Sequence, residues 1–188
     1  NQMAFVFNPH RNLVGQHAFL GASKYHWLNY DDEKLMTSYN NAMAAARGTE
    51  LHDFAANAIK LGVKLSGNST ISLYVNDAIR FGMTPEQPLY YSENCFGTAD
   101  TINFNGKVLR IHDFKSGEGP TSIKQLRIYA ALFCLEYGVK PETIKIILQI
   151  YQHGDKVGEE SDPEEIRSIM DTIVRFDKLI FEMKRGVN

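Results

Sequence analysis

Asn105-Gly106 stands between two runs of strand-forming residues, 96–104 and 107–114, and this limits the fold more than any other feature of the chain. An Asn-Gly pair accepts the left-handed backbone that a two-residue hairpin turn needs, so the two runs are expected to pair antiparallel. A further strand-like run, 88–94, precedes them and extends the hairpin to a three-strand antiparallel meander.

Helical patterns surround this meander. The segment to about Gly21 is punctuated by Gly, Asn and Pro and is expected to be irregular, with one short strand. A short helix is expected from Ser23, and an alanine-rich one runs from about Lys34 to Leu61, with a break near Gly48 and a stop at Gly62. Residues 69–82 carry apolar side chains at helical spacing before a terminal glycine. After the meander, 122–137 is helical, with Ile123, Leu126, Ala130, Phe133 and Tyr137 on a core stripe and Gly138 as terminator. Residues 143–152 alternate as a strand whose partly polar face places it at an open edge or covered end of the sheet. The run Ser161-Asp-Pro-Glu-Glu then opens a last helix with a cap, a first-turn proline and acids at the positive end. The order predicts an α/β sandwich, a mixed β-sheet flanked by helices. At 188 residues the chain fits a single domain. Within 1–188, the expected parts are an N-terminal helical part (1–66), a core (88–152) and a C-terminal helix (161–186).

A net charge of −2 argues against a bulk nucleic-acid binder, though not against an enzyme whose acidic site binds cations before a phosphate arrives. Lys24, Arg47, Lys107, Lys124 and Arg127 flank the segments of interest and would position such a substrate. Cys95 and Cys134 are too few for a four-thiolate cluster, and a reduced, intracellular, cytoplasmic setting is expected. Neither a membrane-spanning stretch nor a charged-then-apolar leader is apparent, so no membrane partner is expected.

The chemistry concentrates in Gly97-Thr-Ala-Asp100 and Ile111-His-Asp113-Phe-Lys115-Ser-Gly117. Alternate strand residues share a face, so Asp113 and Lys115 point into one pocket and Asp100 can reach it from the neighbouring strand. Hydrolysis of a phosphodiester needs an activated water and neutralised charge on the transition state, which hard oxygen ligands provide by holding Mg²⁺ or Mn²⁺. Asp100, Asp113 and the carbonyl of Phe114 are the expected ligands, and Lys115 orients or helps deprotonate the water. Singly, each acid reads as a turn cap or surface ion pair. Against that, Val108-Leu-Arg-Ile111 carries the strand inside, where an unpaired acid is costly. His112 is expected to point away from this pocket. Trp27 reads as core, and Lys24 beside Tyr25 and His26 as a nucleic-acid contact.

These elements, with Gln125-Leu-Arg-Ile-Tyr129 on the following helix and Arg47-Gly-Thr-Glu-Leu-His52 upstream, resemble the RecB-like branch of the PD-(D/E)XK nuclease superfamily. Ser23-Lys-Tyr-His-Trp-Leu-Asn29 is similar to the start of phage-encoded, exonuclease-type members. The resemblance runs from about Gly21 to Gln152 and implies a restriction-endonuclease-like core. It implies His52, Asp100 and Asp113 as metal ligands, Lys115 as catalytic lysine, and Gln125 and Tyr129 as nucleic-acid contacts or supports of the lysine. Glu93 sits where many relatives carry a glutamate. Some relatives hold an iron–sulfur cluster on four cysteines, and two cysteines cannot, so no such cluster is expected. No Walker lysine motif is present, so any helicase or recombination motor would be a partner protein.

The expected function is metal-dependent hydrolysis of DNA, as an exonuclease in recombination, repair or phage DNA processing. A catalytically silent nucleic-acid-binding or scaffold protein with the same fold is the alternative. A structural Ca²⁺ site in an unrelated protein is the third reading.

Overall fold

The computed structural model describes residue 6 and residues 8–15, 17–21 and 25–186, apart from the side chains at positions 40, 44, 46, 47 and 49. Two compact units emerge, Asn1–Ala46 and Arg47–Asn188. In the first, short 3-10 helices at Arg11–Leu13 and Tyr25–Asn29 precede the start of helix α1 (Asp32–Leu61). No strand forms there among the described residues. Trp27 is half-buried rather than core, its indole N–H donating to the Gly21 carbonyl at 2.8 Å. Lys24 lies outside the described residues, as does the side chain of Arg47.

The second unit is an α/β layer structure around a five-stranded mixed sheet, in order β1 (Thr84–Ser92), β2 (Cys95–Phe104), β3 (Val108–Phe114), β4 (Lys145–Gln152) and β5 (Asp155–Glu160). β1 pairs antiparallel with β2, and β2 antiparallel with β3. Helix α3 (Lys124–Tyr137) makes the crossover that lets β4 run parallel to β3. One apolar cluster, including Leu109, Ile111, Leu126, Leu148 and Ile166, joins the sheet to α3 and α4 (Pro163–Arg185). A second, including Ala55, Ile59, Tyr74, Val75, Phe114 and Tyr151, joins it to the end of α1 and to α2 (Thr70–Arg80). β3 is therefore covered on both sides, which fits its nearly continuous apolar sequence.

Local chemistry explains the element ends. Ser69 caps α2 by accepting from the Ser72 N–H, and Asp162 caps α4 by accepting from the Glu164 N–H. α1 continues through Gly48 without the expected break. β1 begins at Thr84 rather than at 88.

The β2–β3 turn differs from expectation by one residue. Pairing of Phe104 with Leu109 makes Gly106 and Lys107 its central residues, and only Gly106, at φ 93°, needs the left-handed region. The Asn105 side chain accepts from the backbone N–H groups of Lys107 and Val108 at 2.9 and 2.8 Å. An Asn-Gly centre would have set Asp100 against Ile111. The observed register pairs Thr101 with His112, and its next position brings Asp100 against Asp113.

β4 is interior, not at an edge, because β5 pairs with it through a His153-Gly154 turn in which both residues have positive φ. The polar atoms of Gln149 and Tyr151 are hydrogen-bonded to one another. β5 was absent from the expected elements, its charged sequence Asp-Lys-Val-Gly-Glu-Glu concealing an exposed edge strand.

Candidate metal centre

The C-terminal end of β3 and the facing part of β2 carry the charged cluster, and α1, β1 and α3 complete it. Asp113 and Phe114 are the last residues of β3. Just beyond, the Lys115 backbone N–H donates to the Tyr151 carbonyl at 2.9 Å, which keeps this residue on the sheet. Asp113 is 3% exposed, and its Oδ2 lies 3.0 Å from Lys115 Nζ without hydrogen-bond alignment. The Lys115 ammonium also donates to Gln125 Oε1 at 3.3 Å, and the Gln125 amide donates to the Tyr129 hydroxyl at 3.0 Å. Four-residue spacing on α3 makes that chain possible.

Asp100 accepts the Phe114 N–H at 2.9 Å through Oδ2, and the same oxygen lies 3.6 Å from His52 Nδ1. The His52 ring packs against Phe114, with centroids 5.0 Å apart. Burial and then the neighbouring Asp113 carboxylate push the Asp100 carboxyl up to about 8, against the opposing pull of the Phe114 N–H. Tyr74 is also held well above the usual phenol range, by burial first and then by Asp100. A site where carboxylates crowd one another in this way favours a bound cation, since positive charge removes the repulsion.

Glu86 also belongs to this cluster, and the sequence reading missed it. A ligand atom from each of His52, Glu86 and Asp100 lies within 4.8 Å of the other two. Glu86 falls between the pairs Pro85–Thr101 and Gln87–Ala99, and so opposite Asp100. Its φ of 52° breaks the strand alternation there. The expected strand began at Pro88 and excluded it. Only its position across from the Gly-Thr-Ala-Asp strand could have flagged it. Glu93 does not join the cluster; it is exposed and pairs with Lys184 at 3.0 Å. Arg127 is engaged by Glu159 and Glu165 at 2.7 and 2.8 Å rather than free for a phosphate.

The motif segments interlock through two glycines. A Cβ at Gly97 would stand 2.9 Å from the Tyr129 ring, and one at Gly48 would stand 3.0 Å from Ser116 Oγ. Gly97 makes room for the α3 tyrosine, and Gly48 lets α1 approach the segment after Lys115. Two open hollows flank Lys115, of about 400 and 290 Å³. The larger is walled by the 117–122 loop, whose Gly117 and Gly119 carbonyls accept from the Gln152 amide at 2.7 and 2.9 Å. No acidic side chain lines it.

The oxygens of Asp100 and Asp113 suit a hard divalent cation, and His52 and Glu86 add a nitrogen and a further carboxylate. No helix among the described residues is long and apolar enough to cross a membrane.

No family model matches the chain, and no curated protein matches it. Among solved structures it is similar to one titled "Crystal structure of SSO0001", at 14% identity and a TM-score of 0.31. The match covers 57% of this chain and 57% of that one, and at that score it carries no argument.

Proposed function

We propose that the protein is a Mg²⁺- or Mn²⁺-dependent deoxyribonuclease of the RecB-like PD-(D/E)XK type, with β1–β3 as the antiparallel meander of a restriction-endonuclease-like core. The observation that carries this reading is the clustering of Asp100, Asp113 and Lys115, with Lys115 Nζ 3.0 Å from Asp113 and His52 Nδ1 3.6 Å from Asp100. Exonuclease action in recombination, repair or phage DNA processing is the expected mode, and any motor would be a separate partner chain.

Asp100, Asp113, His52 and the Phe114 carbonyl would hold the cation, which supplies a water of lowered pKa and neutralises charge on the phosphate. Lys115, fixed between Asp113 and Gln125, holds the water in line with phosphorus and offsets charge on the non-bridging oxygens. The water gives up a proton to solvent and its oxygen forms the new P–O bond as the bond to the 3′ oxygen breaks, leaving a 5′-phosphate. The departing oxygen takes a proton from solvent. Gln125 and Tyr129 keep Lys115 in place, and the hollows on either side give the strand a path.

Digestion of end-labelled linear and closed circular DNA with Mn²⁺ tests this. Linear DNA should be degraded and circles resist, and Lys115→Ala should lower the rate at least about a thousandfold while leaving the fold intact. A Lys115→Ala protein as fast as the parent would end the proposal. Mn²⁺ and DNA binding without turnover would favour the silent scaffold instead.

A further inference from the structure

We propose that two copies of this chain pair through the outer side of α4, with the two helices running antiparallel. The core side of α4 carries Ile166, Met170 and Ile173, which are buried. Beside it runs a second seam at alternating spacings of three and four residues, made of Ile169, Thr172, Phe176, Leu179 and Met183. This is the repeat by which one helix packs along another. Phe176, Leu179 and Met183 are 51%, 49% and 68% exposed. The end of the helix is nonetheless held, because Lys184 pairs with Glu93 at 3.0 Å and the Asn94 amide donates to Asp177 at 3.1 Å. A fixed and uncovered apolar ridge marks a contact surface.

The charges select the occupant and its direction. Arg175 and Glu182 flank the seam on one side, both exposed, and neither forms an ion pair among the described residues. In an antiparallel pair that sets Phe176 over Leu179 of the second copy and Met183 over Thr172 of the second copy, heptad geometry brings Arg175 against Glu182 of the second copy. Two-fold symmetry repeats each contact, so the pair gains two such ion pairs. The other flank, Ile173 and Ile180, closes apolar against apolar. A parallel pair would lay Arg175 beside Ile180 of the second copy and leave both charges unmatched. The ridge is therefore complementary to itself in one orientation only.

The hollow between α3 and α4 fits the same arrangement. It measures about 450 Å³ and is lined in part by Cys95, Ile128, Ile169, Thr172 and Ile173. Met183 of the second copy, opposite Thr172, reaches this hollow, and an unbranched thioether adapts well to an irregular gap. None of these residues belongs to the charged cluster, so the inference does not rest on the nuclease reading.

Sedimentation velocity at about 1–100 μM protein tests the pairing. The parent should sediment as a dimer. Phe176→Glu should weaken association at least about thirtyfold, with an unchanged circular dichroism spectrum. Arg175→Glu and Glu182→Arg should each weaken it about tenfold, since each sets like charges together twice. An equimolar mixture of those two variants should regain the parent's affinity, because both cross-pairs become opposite in charge. Should Phe176→Glu fail to fold, the two charge variants, at exposed positions, decide alone. A parent that stays monomeric throughout or forms trimers overturns the proposal, as does a dimer that a folded Phe176→Glu leaves intact. Single charge variants as tight as the parent, or a mixture no tighter than its components, overturn it as well.

Discussion

His112 and Asp113 are chain neighbours on β3, yet they belong to two polar clusters of opposite character. Beneath α2, the Tyr151 hydroxyl donates to Asp77 at 2.5 Å and lies 3.4 Å from His112 Nδ1, while Lys156 reaches the same Asp77 carboxylate at 3.2 Å. At the end of the sheet, Asp100 faces Asp113 and Glu86. The Asp77 and Asp100 side chains are 16% and 18% exposed, so exposure alone does not separate them. Burial pushes both carboxyls up, but the hydrogen bonds of Tyr151 and Lys156 bring Asp77 below its usual range, and Asp113 drives Asp100 further above it. Partners decide whether a half-hidden acid is held as a carboxylate or crowded by its neighbours.

The sharpest way to break this contrast is to remove each acid in the absence of divalent cations. Asp77→Ala removes the carboxylate that holds both the Tyr151 hydroxyl and Lys156 and should cost about 2 kcal/mol in urea unfolding. Asp100→Asn relieves repulsion and should raise the melting temperature by about 2–4 °C, equivalent to about 1 kcal/mol in a chain of this size. Equal losses in both variants would erase the distinction.

A smaller effect is expected at the packing around the pocket. Gly97→Ala pushes a methyl group against Tyr129 and should cost about 1 kcal/mol, along with part of any DNA-cleaving activity. Combined with Tyr129→Leu, the stability losses should fall short of their sum by about 0.5 kcal/mol or more. Strict additivity in denaturant titrations would show that the two residues do not meet.

The smallest effect is in pH. Asp77 has a lower pKa in the folded chain than unfolded, so its stabilisation is complete above the unfolded value of about 3.9 and is lost as pH falls through the folded one. The acid limb of the parent's stability curve should therefore be steeper than that of Asp77→Ala. Identical limbs would remove Asp77 from the account of acid stability.

The pairing of β2 with β3 was legible because a glycine turn and two apolar runs act locally. The companionship of Asp100, Asp113 and Lys115 followed from strand periodicity. The turn centre was not, since the Asn105 carboxamide bonds to backbone N–H groups that a two-residue Asn-Gly turn would use differently. Gln149 and Tyr151 read as an open edge or covered end of the sheet because nothing in their own segment tells that Asp77, on α2, is the acceptor for the tyrosine. β5 carries almost no apolar residues, and only backbone pairing defines it. Glu86 escaped because its left-handed backbone falls between Pro85 and Pro88, where no periodic signal survives.

Gln152 fixes the loop beside Lys115 from a strand that lends the charged cluster no acid or base of its own. The adjoining His153-Gly154 turn is bound in the same way to α2, the Gly154 N–H donating to Thr70 Oγ1 at 2.6 Å. One wall of the hollow is thus inherited from an exposed hairpin. Changes of sequence in that hairpin can remould the space beside the lysine while every charged group stays where it is.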